Sequence, residues 1–186
     1  MKTVYLTRHG QDYDNARHIL NGHRNYPLTE LGKKQARQAA KKLRRKKISL
    51  IYCSPLRRCR QTASIINEAI GDIPIIIEPQ LIERDFGTLT GCHVDDIVLH
   101  GKKFLHTKKI KYFMSAPSAE PFGKVLQRAR RVIKKIRSDR RNGNVLIVTH
   151  NDVGKMLEAA AKKITITQSL SGKSISNCEI VKLLSY

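Results

Sequence analysis

Val4-Tyr5-Leu6-Thr7-Arg8-His9-Gly10 is a short apolar, β-branched and aromatic run that stops on an arginine, a histidine and a glycine. It reads as a buried strand that hands polar residues to a loop. Near the other end of the chain, Val145-Leu146-Ile147-Val148-Thr149-His150 repeats the arrangement in the clearest strand of the sequence. In open α/β sheets ligands bind beyond the carboxyl ends of parallel strands. The residues that follow these two runs are therefore the first functional candidates.

Working outward, Pro27-Leu28-Thr29-Glu30 opens a helix with Thr29 as N-cap, and Leu31, Gln35, Ala36, Ala39, Ala40 and Leu43 form its apolar stripe. Leu50 to Cys53 is a second strand. Ser54-Pro55-Leu56-Arg57-Arg58 follows it as loop and helix start, a helix from Gln61 to Ile70 comes next, and Ile73 to Ile77 is a third strand. Residues Thr88 to Ala119 have weak periodicity and no strong strand, and read as an inserted cap. Val125, Leu126, Ala129, Val132, Ile133 and Ile136 mark a long helix whose other faces carry Arg128, Arg130, Arg131, Lys134, Lys135 and Arg137. A helix over residues 152–163 and a last strand over 179–183 complete the pattern. The expected fold is α/β, a three-layer sandwich with a mostly parallel central sheet, helices on both faces and a small inserted cap. Residues 1–186 are expected to form one domain.

Composition narrows the function. No stretch approaches the ~18 to 20 apolar residues that cross a bilayer, so no membrane insertion is expected. The opening residues lack the form of a secretory signal, which predicts a cytoplasmic protein. Cys53, Cys59, Cys92 and Cys178 match neither a zinc knuckle nor a disulfide framework and read as reduced thiols without a structural metal. A cysteine-based phosphate loop needs an arginine where Cys59 stands, so that mechanism fails. The net charge of +21 suits an anionic partner. Nucleic acid is not favoured, because few aromatics interleave with the basic helix and a solvated face accounts for it. His93, His100 and His106 lack the spacing of a common metal-ligand pair and read as exposed or substrate-facing.

Four polar clusters fall at strand ends or in adjoining loops: Arg8-His9-Gly10, Ser54 to Arg58, Glu83, and Thr149-His150. Brought together, two arginines and two histidines repel one another until an anion neutralises them. Phosphate fits. The guanidinium fork matches its oxygens, and an imidazolium adds charge-assisted hydrogen bonds.

These residues also carry a resemblance. Arg8-His9-Gly10 with Asn15, the stretch Asn21 to Ala36 around Pro27-Leu28-Thr29, Ser54 to Ala63, Leu81-Ile82-Glu83-Arg84-Asp85-Phe86-Gly87, and Val148-Thr149-His150 are together similar to the signatures of the histidine phosphatase superfamily, the phosphoglycerate-mutase-like proteins. The resemblance covers most of the chain outside the cap. It implies a metal-independent enzyme without cofactor in which His9 is the nucleophile and Glu83 the general acid and base. Arg8, Arg58 and His150 bind phosphate, with Asn15, Gln11 and Gly22 as neutral donors. Spacing from Ser54 selects Arg58 over Arg57 and Arg60, which are assigned to the basic surface.

The pattern is not followed everywhere. Asn25 stands where many members have Asp, Thr90-Gly91 replaces a Glu-Gly, and Ala119-Glu120-Pro121 with Arg128 only faintly resembles the segment that closes the family's cap. The reaction expected is hydrolysis of a small anionic phosphomonoester through a phosphohistidine. A phosphoglycerate mutase is the runner-up, set behind because mutases of this type are longer, with larger insertions and a closing tail. A polyanion-binding or nucleic-acid-binding protein on the same fold is the alternative of a different class, and it leaves Glu83 without a use. The cap lysines Lys102, Lys103, Lys108, Lys109 and Lys111 predict a substrate with more than one negative charge. No sequence feature sets an oligomeric state.

Overall fold

The computed structural model describes residues 1–106 and 111–186. Five strands form the central sheet in the order β3-β2-β6-β1-β7. These are β1 (Thr3–Arg8), β2 (Ile48–Cys53), β3 (Ile75–Ile77), β6 (Asn144–Thr149) and β7 (Ile180–Ser185). All neighbouring pairs are parallel except β1 with β7. The two strands ending in histidines, β1 and β6, lie side by side, and β6 separates β1 from β2.

Alternation along the strands builds the layers, because successive side chains point to opposite faces. Val145 and Ile147 join Leu50, Tyr52, Val4 and Leu6 in one core, against α5 (Phe122–Ser138) and α6 (Asn151–Lys162). Leu146 and Val148 join Ile51 and Cys53 in the other, against α2 (Glu30–Leu43) and α3 (Arg57–Ile70). Being covered on both faces, β6 is almost wholly buried and reads as an unbroken apolar run. The three-layer α/β expectation holds.

Thr29 caps α2 as expected, accepting a hydrogen bond from the Gly32 amide at 3.1 Å. Leu31 does not join the apolar stripe; it is half exposed. The second helix begins at Arg57, earlier than the periodicity suggested, since Ser54 to Leu56 already carry the chain out of the sheet. Two short helices had no sequence signal long enough to be read: α1 (Tyr13–Ala16) and α7 (Ile166–Ser171).

The cap segment corrects the sequence reading in one respect. Besides short helical turns and α4 (Ile97–His100), it holds an antiparallel pair, β4 (Lys102–His106) and β5 (Lys111–Ser115). Lysines at the strand ends masked the apolar positions Phe104, Leu105, Tyr112 and Phe113.

The loop after β1 is pressed against the first turn of α2. A Cβ on Gly32 would collide with the carbonyl oxygen of Gln11, and one on Gly10 with the carbonyl oxygen of Gly32. The contact is reinforced by the Gln11 amide donating to Gln35 Oε1 at 2.8 Å and the Thr29 amide to the Gln11 carbonyl at 2.9 Å. The residues flanking His9 are thereby clamped to a helix. Gly32→Ala must push this backbone contact apart, and it is expected to cost about 2 kcal/mol and lower Tm by several degrees, read by urea and thermal unfolding.

Candidate active site

Strand register brings the polar clusters together. Arg8 pairs with Thr149, and Cys53 with Val148, so His9, Ser54 and His150 leave the sheet along one edge. The ladder continues past the strands: the His9 amide donates to the Thr149 carbonyl at 2.9 Å and the Ser54 amide to the Val148 carbonyl at 3.0 Å. The His9 and His150 rings stand 5.1 Å apart, edge to face at 62°. Glu83 is delivered from the loop after β3. Thr149 Oγ1 donates to the Leu81 carbonyl at 2.8 Å, and Arg128 Nη1 to the carbonyls of Gln80 and Ile82, both at 2.6 Å.

His9 is buried. Its Nδ1 lies 2.7 Å from the Gly10 carbonyl oxygen, which accepts only, so Nδ1 carries the proton and Nε2 keeps its lone pair. Burial first, then the charges of Arg58 and Arg8, hold its pKa well below the usual histidine value. The ring is neutral at physiological pH, and Nε2 keeps a lone pair.

Arg58 has no exposed surface. Its Nη1 and Nη2 donate to the carbonyls of Arg24 at 2.6 Å and Gly22 at 2.9 Å, and its Nε lies 3.3 Å from His150 Nδ1 and 3.4 Å from Asp12 Oδ2. His150 Nδ1 accepts from the arginine, so its proton sits on Nε2, which donates to Ser54 Oγ at 2.8 Å. Burial and then Arg58 keep the His150 pKa well below normal. In this arrangement His150 is a neutral donor, and the expected imidazolium is favoured once a dianion arrives.

Arg8 Nη1 donates to the Ile175 carbonyl at 3.3 Å, while its buried Nε meets no hydrogen-bond partner among the described residues. A buried donor without an acceptor costs about 1 to 3 kcal/mol, and Arg8 Nε is suited to donate to a ligand oxygen. Asn15 lines the same cavity, and its Oδ1 accepts from Asn177 Nδ2 at 3.3 Å. Gln11 Oε1 accepts from Thr29 Oγ1 at 2.9 Å. Gly22, at φ +47°, offers its carbonyl to Arg58. Of the neighbouring arginines, Arg57 and Arg60 are exposed, as expected.

Glu83 is buried, and its Oε1 accepts from the Arg84 amide at 2.9 Å. Burial, and next the neighbouring Asp152 carboxylate, push its pKa up to about 7. Such a carboxyl can give and take a proton near neutrality. Cys53 and Cys59 are buried; burial lifts Cys53 to about 12 and Cys59 well above the usual thiol value, so neither supplies a thiolate.

Asp12, Arg84 and Asp152 support the site without having been given a role from the sequence. Asp12 is fully buried and accepts from the Asn15 amide at 2.7 Å and Asn21 Nδ2 at 2.8 Å. Arg84 lies between the rings of Phe113 and Phe122, at 4.2 and 4.0 Å, and reaches Asp152 Oδ2 at 3.5 Å. Arg128, expected on the basic surface, is instead buried in a two-bond pair with Glu120, both bonds 2.9 Å. The faint cap-closing resemblance of Ala119-Glu120-Pro121 with Arg128 had already paired these two residues. Among the described residues no group of three or more His, Cys, Asp or Glu side chains is arranged to hold a metal ion.

Strand-end histidines, buried arginines and a protonatable carboxyl around one pocket define a phosphoryl-transfer protein of the α/β class. Residues 4–186 match the model of the histidine phosphatase superfamily (branch 1), and the chain belongs to that superfamily. It is 30% identical over 181 residues, 92% of this chain and 85% of the relative, to a 2,3-bisphosphoglycerate-dependent phosphoglycerate mutase of Methylobacterium sp. (strain 4-46). It is 32% identical over 151 residues, 81% of this chain and 73% of the relative, to a Hydrogenobacter thermophilus (strain DSM 6534 / IAM 12695 / TK-6) protein provisionally named phosphoserine phosphatase 2. The solved structure of Bacillus stearothermophilus YhfR superposes with a TM-score of 0.82 at 28% identity, covering 97% of this chain and 89% of that one.

The buried Glu83 makes stability depend on pH. Its folded pKa, about 7, lies above the ordinary 4.5, so the folded state holds the proton more tightly than the unfolded state does. Stability is full below about 4.5 and falls as pH rises towards 7. Glu83→Gln removes this dependence. The variant is expected to be more stable than wild type by about 1 to 3 kcal/mol at pH 8 and to lose that advantage at pH 4.5, measured by urea unfolding at both values.

Proposed function

We propose that the chain is a metal-independent phosphomonoester hydrolase that works through a phosphohistidine on a small phosphorylated molecule. The observation that carries the reading is the pairing of a neutral His9, with Nε2 free, and a buried Arg8 donor lacking an acceptor.

In the first step His9 Nε2 attacks phosphorus and the ester P–O bond breaks. Glu83, protonated near neutrality, gives its proton to the leaving oxygen. Arg8, Arg58 and His150 hold the equatorial oxygens as charge moves across them, and Asn15 adds a neutral donor. In the second step the Glu83 carboxylate takes a proton from water, the hydroxide attacks phosphorus, and the N–P bond breaks. Inorganic phosphate leaves, and His9 is neutral again. Gly22 serves by holding Arg58 in place, and Gln11 by fixing the His9 loop to α2.

Names among the relatives support phosphoglycerate mutation as the second reading. It uses the same first step and returns the phosphoryl group to an organic acceptor instead of water. A role as a polyanion-binding module is disfavoured by Glu83, whose raised pKa serves no binding purpose. No helix among the described residues is long and apolar enough to cross a membrane. Four unpaired cysteines support a reducing cytoplasmic location.

The test is phosphate release from a panel of monoesters in the presence of chelator. Wild type should turn over, His9→Ala should lose activity to background, and Glu83→Gln should fall about 10²- to 10⁴-fold on alkyl esters. The loss should be smaller on nitrophenyl phosphate, whose leaving group needs no proton. Transfer of the phosphoryl group between the carbons of phosphoglycerate without net release would identify the mutase instead.

A further inference from the structure

Three of the groups assigned to the reaction, Arg8, Asn15 and Glu83, line one end of a much larger space. A cavity of about 710 Å³ opens from Arg8, Asn15, Glu83 and Asn177 and runs under the cap. A phosphate fills a small part of it, so the remainder is shaped for whatever the phosphate is attached to.

The far wall is apolar. Leu20, Phe86, Val94, Ile97, Val98 and Phe113 line it. Phe86 and Phe113 are buried and locked edge to face at 5.4 Å, with Leu20 and Ile97 packed on their cluster, so this wall is preformed. Val94 and Val98 remain 36% and 51% exposed, apolar surface waiting to be covered. The charged cap side chain on this wall, among the described residues, is the carboxylate of Asp95.

The lysines that suggested a multiply charged substrate do not line the cavity where they are described. Lys102 and Lys103 are exposed on β4, while Lys108, Lys109 and the side chain of Lys111 lie outside the described residues. Of the cap histidines, His93 pairs with Asp95 at 3.3 Å and His106 packs edge to face with Phe104; the side chain of His100 lies outside the described residues. Among the described residues, a second phosphate or a carboxylate placed along this wall would be desolvated beside Asp95 with no lysine or arginine lining the wall to meet it; the basic group there is the His18 imidazole, which packs on His93.

We infer that the cavity selects phosphomonoesters of apolar, uncharged alcohols, with the cap residues Val94, Ile97 and Val98 setting the preference. The inference rests on the hydrolase reading for its turnover but not for its binding. An alkyl chain entering past Glu83 would cover the two half-exposed valines and the Phe86 edge. A sugar bisphosphate or a phosphoglycerate would leave them wet and pay for burying an unpaired charge.

The experiment compares a series of straight-chain alkyl phosphates, methyl to hexyl, whose leaving groups are of similar basicity, with 3-phosphoglycerate. Wild type is expected to gain roughly two- to fourfold in kcat/KM per methylene, mostly through KM. Hexyl phosphate should then exceed 3-phosphoglycerate by at least tenfold. Val98→Lys should cut kcat/KM for hexyl phosphate at least tenfold and raise that for 3-phosphoglycerate, an inversion that a merely damaged fold does not produce. A flat series, or 3-phosphoglycerate preferred by wild type, overturns the inference while leaving the hydrolase intact. If no ester turns over, the hydrolase reading fails, and calorimetric binding of hexylphosphonate against 3-phosphonopropionate decides the pocket by itself: tighter hexylphosphonate supports the inference, and tighter phosphonopropionate overturns it.

Discussion

A guanidinium with no solvent contact has to be compensated, and the site around Arg58 is organised by that requirement. Two backbone carbonyls, a histidine nitrogen and the Asp12 carboxylate meet its donors. Each of these draws another segment into place: the turn at Gly22 to Arg24, the loop after β1, and the end of β6. One buried charge therefore ties together pieces of chain far apart in sequence. Its field also reaches both histidines, helping to keep them neutral and thus His9 able to attack.

The acidic half of the site is governed by a matching constraint. Glu83 and Asp152 are both buried, and two carboxylates in one dry pocket resist ionising together. Arg84, stacked between two phenylalanines, stands against Asp152 and takes the repulsion in part. Glu83 is left with a proton it can lend near pH 7. In the proposed reaction the positive and negative clusters divide the labour, the arginines for the phosphate and the raised carboxyl for the proton, in the way that separated environments assign acid and base roles.

The cap completes the pocket without contributing the catalytic groups assigned above. Its hairpin is held to the main body through Arg84, which donates to the Phe113 and Met114 carbonyls at 2.9 and 3.4 Å, and through Phe113 itself. The same arginine that steadies Asp152 therefore anchors the strand that walls the cavity. Chemistry and substrate choice share a support, while the residues that choose, Val94, Ile97 and Val98, stand free to vary.

The apolar runs of β1, β2 and β6 and the periodicity of α2 and α5 were enough to give the layered fold, because burial on two faces or on one stripe writes itself directly into residue order. His9, Arg58, Glu83 and His150 were legible for a related reason: they sit where strands end or in fixed-spacing signatures beside them. What the sequence could not contain is who meets whom across the sheet. That the end of β6 brings His150 to Arg58 and Asp152 to Glu83 depends on strand order, since β6 enters between β1 and β2 after nearly a hundred residues of intervening chain. The cap shows the same division from the other side. Its lysines count towards net charge wherever they point, but whether a side chain lines the cavity or faces water is a matter of direction, and only the tertiary structure sets that.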